Sequence, residues 1–506
     1  MPAYNIIAQN TENTVVSEYT PLPKRAEAYQ SEAQLEKEFI RLLCEVGYIY
    51  LPIHTEADLV ANLRTQLEKL NNYQFTDGEW ERFFQQSIAN ANEGIKEKTR
   101  RIQDGDTAQA FKRDTGESKN IRLLDKKCIH NNTLQVINQY TVSQAEGAAH
   151  DNRYDVTILV NGLPLVHVEL KRRGVAIREA FNQINRYKRD SFWAGSGLFD
   201  YVQIFVISNG TNTKYYSNTT RLGHIKDFNA AAVRKRGRTS NSFEFTSFWA
   251  DAKNHIIPDL MDFTKTFFAK ATILNILTRY CVFTSEDLLL VMRPYQIVAT
   301  ERILNRIEIA TNYKWYGTVQ GGGYIFHTTG SGKTLTSFKT AQLVADLPHI
   351  SKVLFVVDRK DLDYQTMKEY DRFEKGAANG NTSTAILTRQ LEDPNAKIII
   401  TTIQKLAKFI KKNAGHPLAS RWSSSLTSAT AASSVKCTLP LPTISRNTTC
   451  SALRARLSLR TTPAAARPRP CEPPSRPLAT SFTPIPSWTL STTGMCCRSA
   501  WTMCRR

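Results

Sequence analysis

Cysteine is scarce over most of this chain. Residues 1–417 hold three, Cys44, Cys128 and Cys281, widely spaced and without a C-x-x-C pair. Such spacing indicates neither a structural zinc site nor a disulfide framework, and it fits a reducing compartment. Long apolar runs are missing too: none approaches the about 20 residues that a membrane-crossing helix needs. The opening residues Met1-Pro2-Ala3-Tyr4-Asn5 lack the basic-then-apolar order of a secretory leader. The expected location is therefore the cytoplasm. A length of 417 residues suffices for two or three domains of ordinary size.

Acidic residues are nearly lacking from the C-terminal stretch. Residues 418–506 contain eleven Arg, Lys436 and a single acid, Glu472, and so supply +11 of the formal net charge of +20. Residues 1–417 carry only about +9. The same stretch has ten of the twenty prolines and six of the nine cysteines (Cys437, Cys450, Cys471, Cys496, Cys497, Cys504) and no sustained helical or strand period. Taken as written it is a disordered basic arm. A frameshift near residues 418–421 is the other reading, and the genetic code supports it. Let each hidden codon end in the first two bases of the visible one. Trp422 to Thr430 then permits Val-Val-Phe-Ile-Phe-Asp-Glu-Cys-His, and Ser451 to Leu457 permits Phe-Gly-Phe-Thr-Gly-Thr-Pro. The first is a strand ending in a Walker B box, the second a helicase motif III, both in one frame and in the right order. We read 418–506 as a frameshifted, disordered tail whose charge and cysteines carry no functional meaning.

Residues 327–334, His-Thr-Thr-Gly-Ser-Gly-Lys-Thr, follow the apolar segment Tyr324-Ile325-Phe326 and precede a helix start at Leu335-Thr336-Ser337. Strand, glycine-bearing loop, Gly332-Lys333-Thr334, then helix is the context that a P-loop requires. Backbone N–H groups of Thr329, Gly330, Ser331 and Gly332 can wrap a phosphate, Lys333 can reach the β- and γ-phosphates, and the Thr334 hydroxyl can hold Mg²⁺. His327 stands where the pattern usually begins with glycine. The expected cofactors are ATP and Mg²⁺. A chance Gly-Ser-Gly turn is the bland alternative.

Nearer the N-terminus, residues 31–48 open with a helix-start signature at Ser31. Leu35, Phe39, Leu42 and Leu43 follow at helical spacing, and Gly47 marks the stop. Further amphipathic stretches are expected around 56–71 and 78–99. Residues 153–173 contain two β-branched runs flanking Asn161-Gly162, a strong hairpin signal. A loop centred between Asn161 and Pro164 sets Asp155 opposite residues 168–170. The strand period of two then puts Glu169 and Lys171 on one face. Two carboxylates and an ammonium converging at a strand end suit metal-dependent phosphodiester chemistry. Asp155 and Glu169 would bind Mg²⁺, and Lys171 would orient the nucleophile. Gln183 and Tyr187, four apart, share a face of the next helix. Glu38 is read as solvated, with an auxiliary acid as the alternative, and His167 as a half-exposed strand residue rather than a ligand. Tyr201–Ser208 reads as the next core strand.

Asp155 with Glu169-Leu170-Lys171 resembles the PD-(D/E)xK nuclease motif, and Gln183-Ile184-Asn185-Arg186-Tyr187 resembles the Q-x-x-x-Y element that accompanies that core in some DNA helicase–nucleases. Arg293-Pro294-Tyr295-Gln296, about thirty residues before the P-loop, resembles the adenine-reading element of superfamily-2 helicases. This makes Arg293, Tyr295 and Gln296 candidate nucleotide contacts. The run Arg234-Lys235-Arg236-Gly237-Arg238 reads as a solvated face, or as a contact to a DNA backbone. Lys352–Arg359 and Lys397–Leu406 read as buried strands leading into polar loops, like helicase motifs Ia and Ib, and argue a parallel sheet covered on both faces.

The order of these elements resembles the restriction (R, motor) subunit of type I restriction–modification enzymes, over essentially residues 1–417. The resemblance implies an α/β chain. A PD-(D/E)xK nuclease domain with its connecting region would occupy 1–260, and a partial P-loop, RecA-like helicase lobe 261–417. It implies ATP-driven translocation, endonucleolytic cleavage of unmodified DNA, double-stranded DNA as substrate, and the specificity and methylation subunits as partners. With no readable Walker B box and no second lobe, defective ATP hydrolysis is expected. A stand-alone repair helicase–nuclease and a non-catalytic ATP- or DNA-binding fragment are the competing readings.

Overall fold

A computed structural model describes residues 3–5, 14–21, 30–219, 245–412 (without 316, 317, 319, 329, 358, 359, 377 and 382), 448–455 and 497–504. The chain divides into two compact units. The first takes residues up to 309 together with 334–348 and 364–379. The second takes 310–333, 349–363 and 380–506. Residues 261–309 thus fall in the same unit as the N-terminal sheet, whereas the sequence suggested a division at 260.

In the first unit a two-stranded ribbon (Ala3–Asn5 with Glu18–Thr20) precedes helix α1 (Glu32–Glu45). Ser31 caps it: its hydroxyl accepts from Gln34 N, while the Gln34 side chain accepts from Ser31 N, so two otherwise orphaned donors are satisfied. Leu35, Phe39, Leu42 and Leu43 are buried on one face, each side chain contributing about 2 kcal/mol by leaving water. Gly47 follows at φ +99°. Strand β1 (Ile49–Tyr50) and helix α2 (Glu56–Asn71) come next. The stretch 78–99 is not one helix: Asp77–Phe83 passes into a wider turn at Phe84–Ile88, and a new helix begins at Ile95. The polar run Asn90-Ala91-Asn92-Glu93-Gly94 between them offers no apolar residue to continue a buried stripe.

Strands β2 (Leu134–Val142), β3 (Asn152–Val160) and β4 (Leu163–Leu170) form an antiparallel meander. Helix α3 (Ile177–Asp190) then crosses to β5 (Ile204–Ser208), parallel to β4, and β6 (Thr213–Ser217) returns antiparallel. The order across the six-stranded sheet is β6-β5-β4-β3-β2-β1. The strand expected over Tyr201–Ser208 is shorter, because Leu198–Tyr201 closes a 3-10 turn.

The β3–β4 turn is the expected two-residue one, with Asn161 at φ +51° and Gly162 at φ +82°. It is buried. Asn161 donates to Leu123 O (3.0 Å) and to Asn132 Oδ1 (2.8 Å), and accepts from Thr133 N (2.8 Å). A Cβ on Gly162 would lie 2.6 Å from Leu63 Cα of α2. Register follows from this turn and a bulge at Ile158/Leu159, with Val156 facing Val168.

In the second unit, the sheet order is β7 (Tyr324–His327), β11 (Thr448–Ala455), β12 (Cys497–Cys504), β8 (Lys352–Val357), β10 (Ile398–Thr402), β9 (Asn379–Gly380). The expectation of a parallel sheet is corrected. The sheet is mixed: β8 and β10 are parallel, as are β7 and β11, but β12 is antiparallel to both its neighbours. Within 418–506, the described residues are those of strands β11 and β12. Without β11 and β12, the facing edges of β7 and β8 would leave backbone N–H and C=O groups without ladder partners, and any extended segment can satisfy these through its backbone alone. The other residues of 418–506 lie outside the described ones, as does Arg234–Arg238. Strand β10 ends at Thr402, and Ile403–Lys412 is a helix, so Ile403 to Leu406 are helical rather than a continuation of the strand. Among the described residues, no helix is long and apolar enough to cross a membrane.

Adding a methyl at the β3–β4 turn tests how the register is held. Gly162→Ala should cost about 3 kcal/mol, combining the strained φ with a forced shift of α2. Gly174→Ala has φ +87° but open space around it, and should cost only about 1 kcal/mol. Urea denaturation midpoints of the two variants, at equal slope, check the difference.

Candidate active site

The meander brings Asp155, Glu169 and Lys171 together at the ends of β3 and β4. Asp155 Oδ2 accepts from Leu170 N (2.9 Å), fixing one carboxylate against the neighbouring strand. Lys171 Nζ lies 3.0 Å from Glu169 Oε1 and 4.0 Å from Asp155 Oδ2, and also donates to Leu170 O (2.8 Å). Glu169 is fully buried, and Asp155 and Lys171 are partly buried. Opposite Asp155 on β2, Gln139 takes a left-handed φ of +51° and drops out of the ladder. For a non-glycine residue that conformation is strained.

Burial dominates the electrostatics. It holds Asp155 up to about 7, with the Glu169 charge adding to the effect and the Leu170 amide and Lys171 opposing it. Burial also raises Glu169 to about 7, against the pull of Lys171 and of a hydrogen bond between the two carboxyls. Lys171 is desolvated, yet its two carboxylate neighbours outweigh that and raise it. Two acids poised near neutrality beside one ammonium are unusual on a surface hairpin and common where chemistry is done.

Gln183 and Tyr187 share a face of α3, as expected, and the Gln183 amide donates to the Tyr187 hydroxyl. That hydroxyl donates to Arg153 O (2.8 Å), pinning β3 two residues before Asp155. Glu38 is exposed and paired with Arg41, consistent with solvation. His167 is fully buried, not half exposed. Its side of β4 packs under Tyr154, Tyr187 and Phe192. Alternation along a strand reveals which residues share a face but not which face α3 covers. Burial pushes the His167 imidazole down to about 4.

Glu36 is an acid the sequence reading passed over. Its carboxylate accepts from Asn138 Nδ2 (2.5 Å) and Gln139 Nε2 (2.6 Å), and burial raises its pKa, with the Asp155 charge contributing. Helical spacing from Glu32, which accepts from Arg172 N (3.2 Å), was the available signal.

The donor set suits a hard cation. Glu169 Oε2 is buried without a hydrogen-bond partner, an arrangement that a cation would relieve. Among the described residues, no three His, Cys, Asp or Glu side chains form a cage. An ion here would be held by Asp155, Glu169 and water, a common arrangement for Mg²⁺.

In the P-loop, Gly330 and Gly332 take φ of +80° and +77°, and helix α5 (Lys333–Ala345) begins two residues earlier than expected. Lys333 Nζ donates to Thr328 O (3.0 Å), and Ser331 Oγ to the same carbonyl (2.7 Å). Burial lowers the Lys333 pKa. His327 is buried, and Thr329 lies outside the described residues. Thr334 sits in the first turn of α5, where its carbonyl accepts from Ser337 Oγ (2.9 Å). Arg293 immediately precedes helix α4 (Pro294–Asn312), and Tyr295 and Gln296 lie in its first turn, where Gln296 Oε1 accepts from Arg293 N (2.9 Å) as a cap.

Residues 29–224 match the family model described as type I restriction enzyme R protein N terminus, and residues 295–431 match that of the SWI2/SNF2 ATPase. The chain is similar to the EcoprrI type I restriction enzyme endonuclease subunit of Escherichia coli, 49% identical over 303 residues, 60% of this chain and 90% of that protein. It is similar to the SsaAORF53P endonuclease subunit of Staphylococcus saprophyticus, 40% identical over 392 residues, 76% of this chain and 38% of that protein. A third relative, the MjaIXP endonuclease subunit of Methanocaldococcus jannaschii, is 23% identical over 322 residues, 59% of this chain and 29% of that protein. The chain thus spans well under half the length of the longer relatives.

The raised carboxylates set a pH dependence. Between about 4 and about 7, Asp155 and Glu169 stay protonated when folded and ionise when unfolded. Folding then takes up protons, so stability from this pair is greatest at low pH and falls as pH rises to about 7. In chelator, Asp155→Asn should flatten that fall by on the order of 2 kcal/mol between pH 5 and 8. Urea midpoints of parent and variant across this range measure it.

Proposed function

The chain belongs to the family of type I restriction enzyme R (endonuclease) subunits, and from that membership we propose that it carries the nuclease centre and part of the ATPase motor of such a subunit. The observation carrying the nuclease reading is the convergence of Asp155, Glu169 and Lys171 at one end of β3 and β4. That geometry and the 3.6-residue pairing of Gln183 with Tyr187 both favour a PD-(D/E)xK nuclease core.

Asp155 and Glu169 would hold Mg²⁺. When bound, the ion supplies an activated water and neutralises charge building on a phosphodiester. Asp155 is kept in place for this by the Leu170 amide, and Glu169 by Lys171. Lys171, already within reach of both carboxylates, orients the attacking water and donates to the developing phosphate charge. Tyr187, held by Gln183, fixes the backbone leading to Asp155. Double-stranded DNA is the substrate class.

On the ATPase side, the amides of Thr329, Gly330, Ser331 and Gly332 would wrap the phosphates, with Lys333 exchanging the Thr328 carbonyl for the β/γ-phosphates. Thr334 would complete the Mg²⁺ site, and Arg293, Tyr295 and Gln296 would contact the adenine side. ATP-driven translocation and cleavage of unmodified DNA away from a recognition site, with specificity and methylation subunits as partners, are what this reading assigns to the assembled enzyme. For the 506-residue chain itself, ATP turnover is expected to be close to absent, since no Walker B carboxylates can be read after β10.

Asp155→Asn, Glu169→Gln and Lys171→Ala should each lower Mg²⁺-dependent cutting of linear duplex DNA at least about a hundredfold, with unchanged circular dichroism. Gln183→Ala and Tyr187→Ala should be partial. A folded variant of the first three that cuts at the parental rate overturns the assignment. Lys333→Ala should weaken binding of a fluorescent ATP analogue about tenfold or more. Robust DNA-stimulated hydrolysis by the parent chain would refute the expected defect.

A further inference from the structure

His167 and Glu169 are two residues apart on β4 and therefore project from the same face. His167 Nε2 lies 3.5 Å from Glu169 Oε2. Both atoms are buried, and neither has a hydrogen-bond partner, so each is the nearest polar group able to satisfy the other. Across the ladder, Thr157 pairs with His167, and its hydroxyl lies 3.2 Å from the other ring nitrogen, Nδ1. Tyr154, Tyr187 and Phe192 surround the ring with edge-on contacts, so it has little room to turn.

With Glu169 ionised, as holding a cation requires, the chemistry of the three groups fixes one proton arrangement. An ionised Glu169 only accepts hydrogen bonds. A bare Nε2 would then set two lone pairs against each other in a dry interior. The proton must sit on Nε2, and the Thr157 hydroxyl, free to rotate, donates to Nδ1. Lys171 already holds Oε1 from the opposite side.

We propose that His167 is a positioning residue: as a neutral imidazole oriented by Thr157, it donates from Nε2 to Glu169 Oε2 and holds that carboxylate ready for a divalent cation. The inference rests on the reading of Asp155 and Glu169 as a cation site. It also gives the packing of Tyr187 against the imidazole a role, linking the Gln183–Tyr187 face of α3 to the carboxylate. Orientation of a ligand by such an outer donor is worth roughly ten- to a hundredfold in metal affinity.

The test is Mn²⁺ binding to the full chain, followed by the loss of the free-ion signal in electron paramagnetic resonance, beside thermal melting. The parent should bind, and Asp155→Asn should abolish binding. His167→Leu, which fills the space without a donor, should weaken binding about tenfold. His167→Gln, which restores an N–H, should stay within about threefold of the parent. Parental affinity in His167→Leu overturns the inference while leaving the cation site standing, and so does a loss in His167→Gln equal to that in His167→Leu. Should His167→Leu not fold, Thr157→Val decides: weaker binding supports the arrangement, and unchanged binding overturns it. A parent with no Asp155-dependent binding overturns the cation site and this inference together.

Discussion

Burying two carboxylates beside one ammonium is the constraint on which the first unit turns. Glu169 has no exposure to water, and among the described residues only Lys171 gives it a charged donor. In isolation each ionised acid would be driven to take up a proton, and both lie near neutrality for that reason. The arrangement persists because the backbone overdetermines it: β3 and β4 are buried along almost their whole length, and the Leu170 amide ties Asp155 across the ladder. The opposing Gln139 is held in a left-handed conformation by the same sheet. Strain and desolvation are both stored at one end of one hairpin.

That hairpin depends on a turn far from the chemistry. Asn161 makes hydrogen bonds to two other segments of chain, at Leu123 and at Asn132-Thr133, and Gly162 lets α2 approach to a distance no side chain permits. A slip of one residue at this point would turn Asp155 to the other face from Glu169. Helix α3 then closes the site from above. Its buried face carries Phe181, Ile184 and Tyr187, and the Tyr187 hydroxyl reaches back to the β3 backbone at Arg153. Packing, register and site geometry are one problem solved by one set of contacts.

The second unit shows the opposite balance. Its central strands β8 and β10 are apolar and parallel, and their cluster of Leu354, Val356, Ile399 and Leu406 is compact. The strands completing the sheet come from a stretch with little apolar periodicity, joined through backbone pairing. A sheet edge selects for extended chain before it selects for sequence.

The sequence alone determined the local features, because they are encoded locally. A serine cap and a period of 3.6 define α1; two β-branched runs around Asn161-Gly162 define the hairpin; a glycine-bearing loop between apolar segment and helix defines the P-loop. Strand alternation set Glu169 and Lys171 on one side, while the bulge at Ile158/Leu159 brought Asp155 opposite Glu169. Tertiary structure decided what no period carries. It buried His167, because α3 covers that face of β4, and it brought Glu36 of α1 toward Asp155, where its carboxylate accepts from Asn138 and Gln139 of β2. It also made the second sheet mixed. Burial depth, and with it the pKa of each acid, depends on which elements pack over a face, and that information is spread over residues distant in the chain.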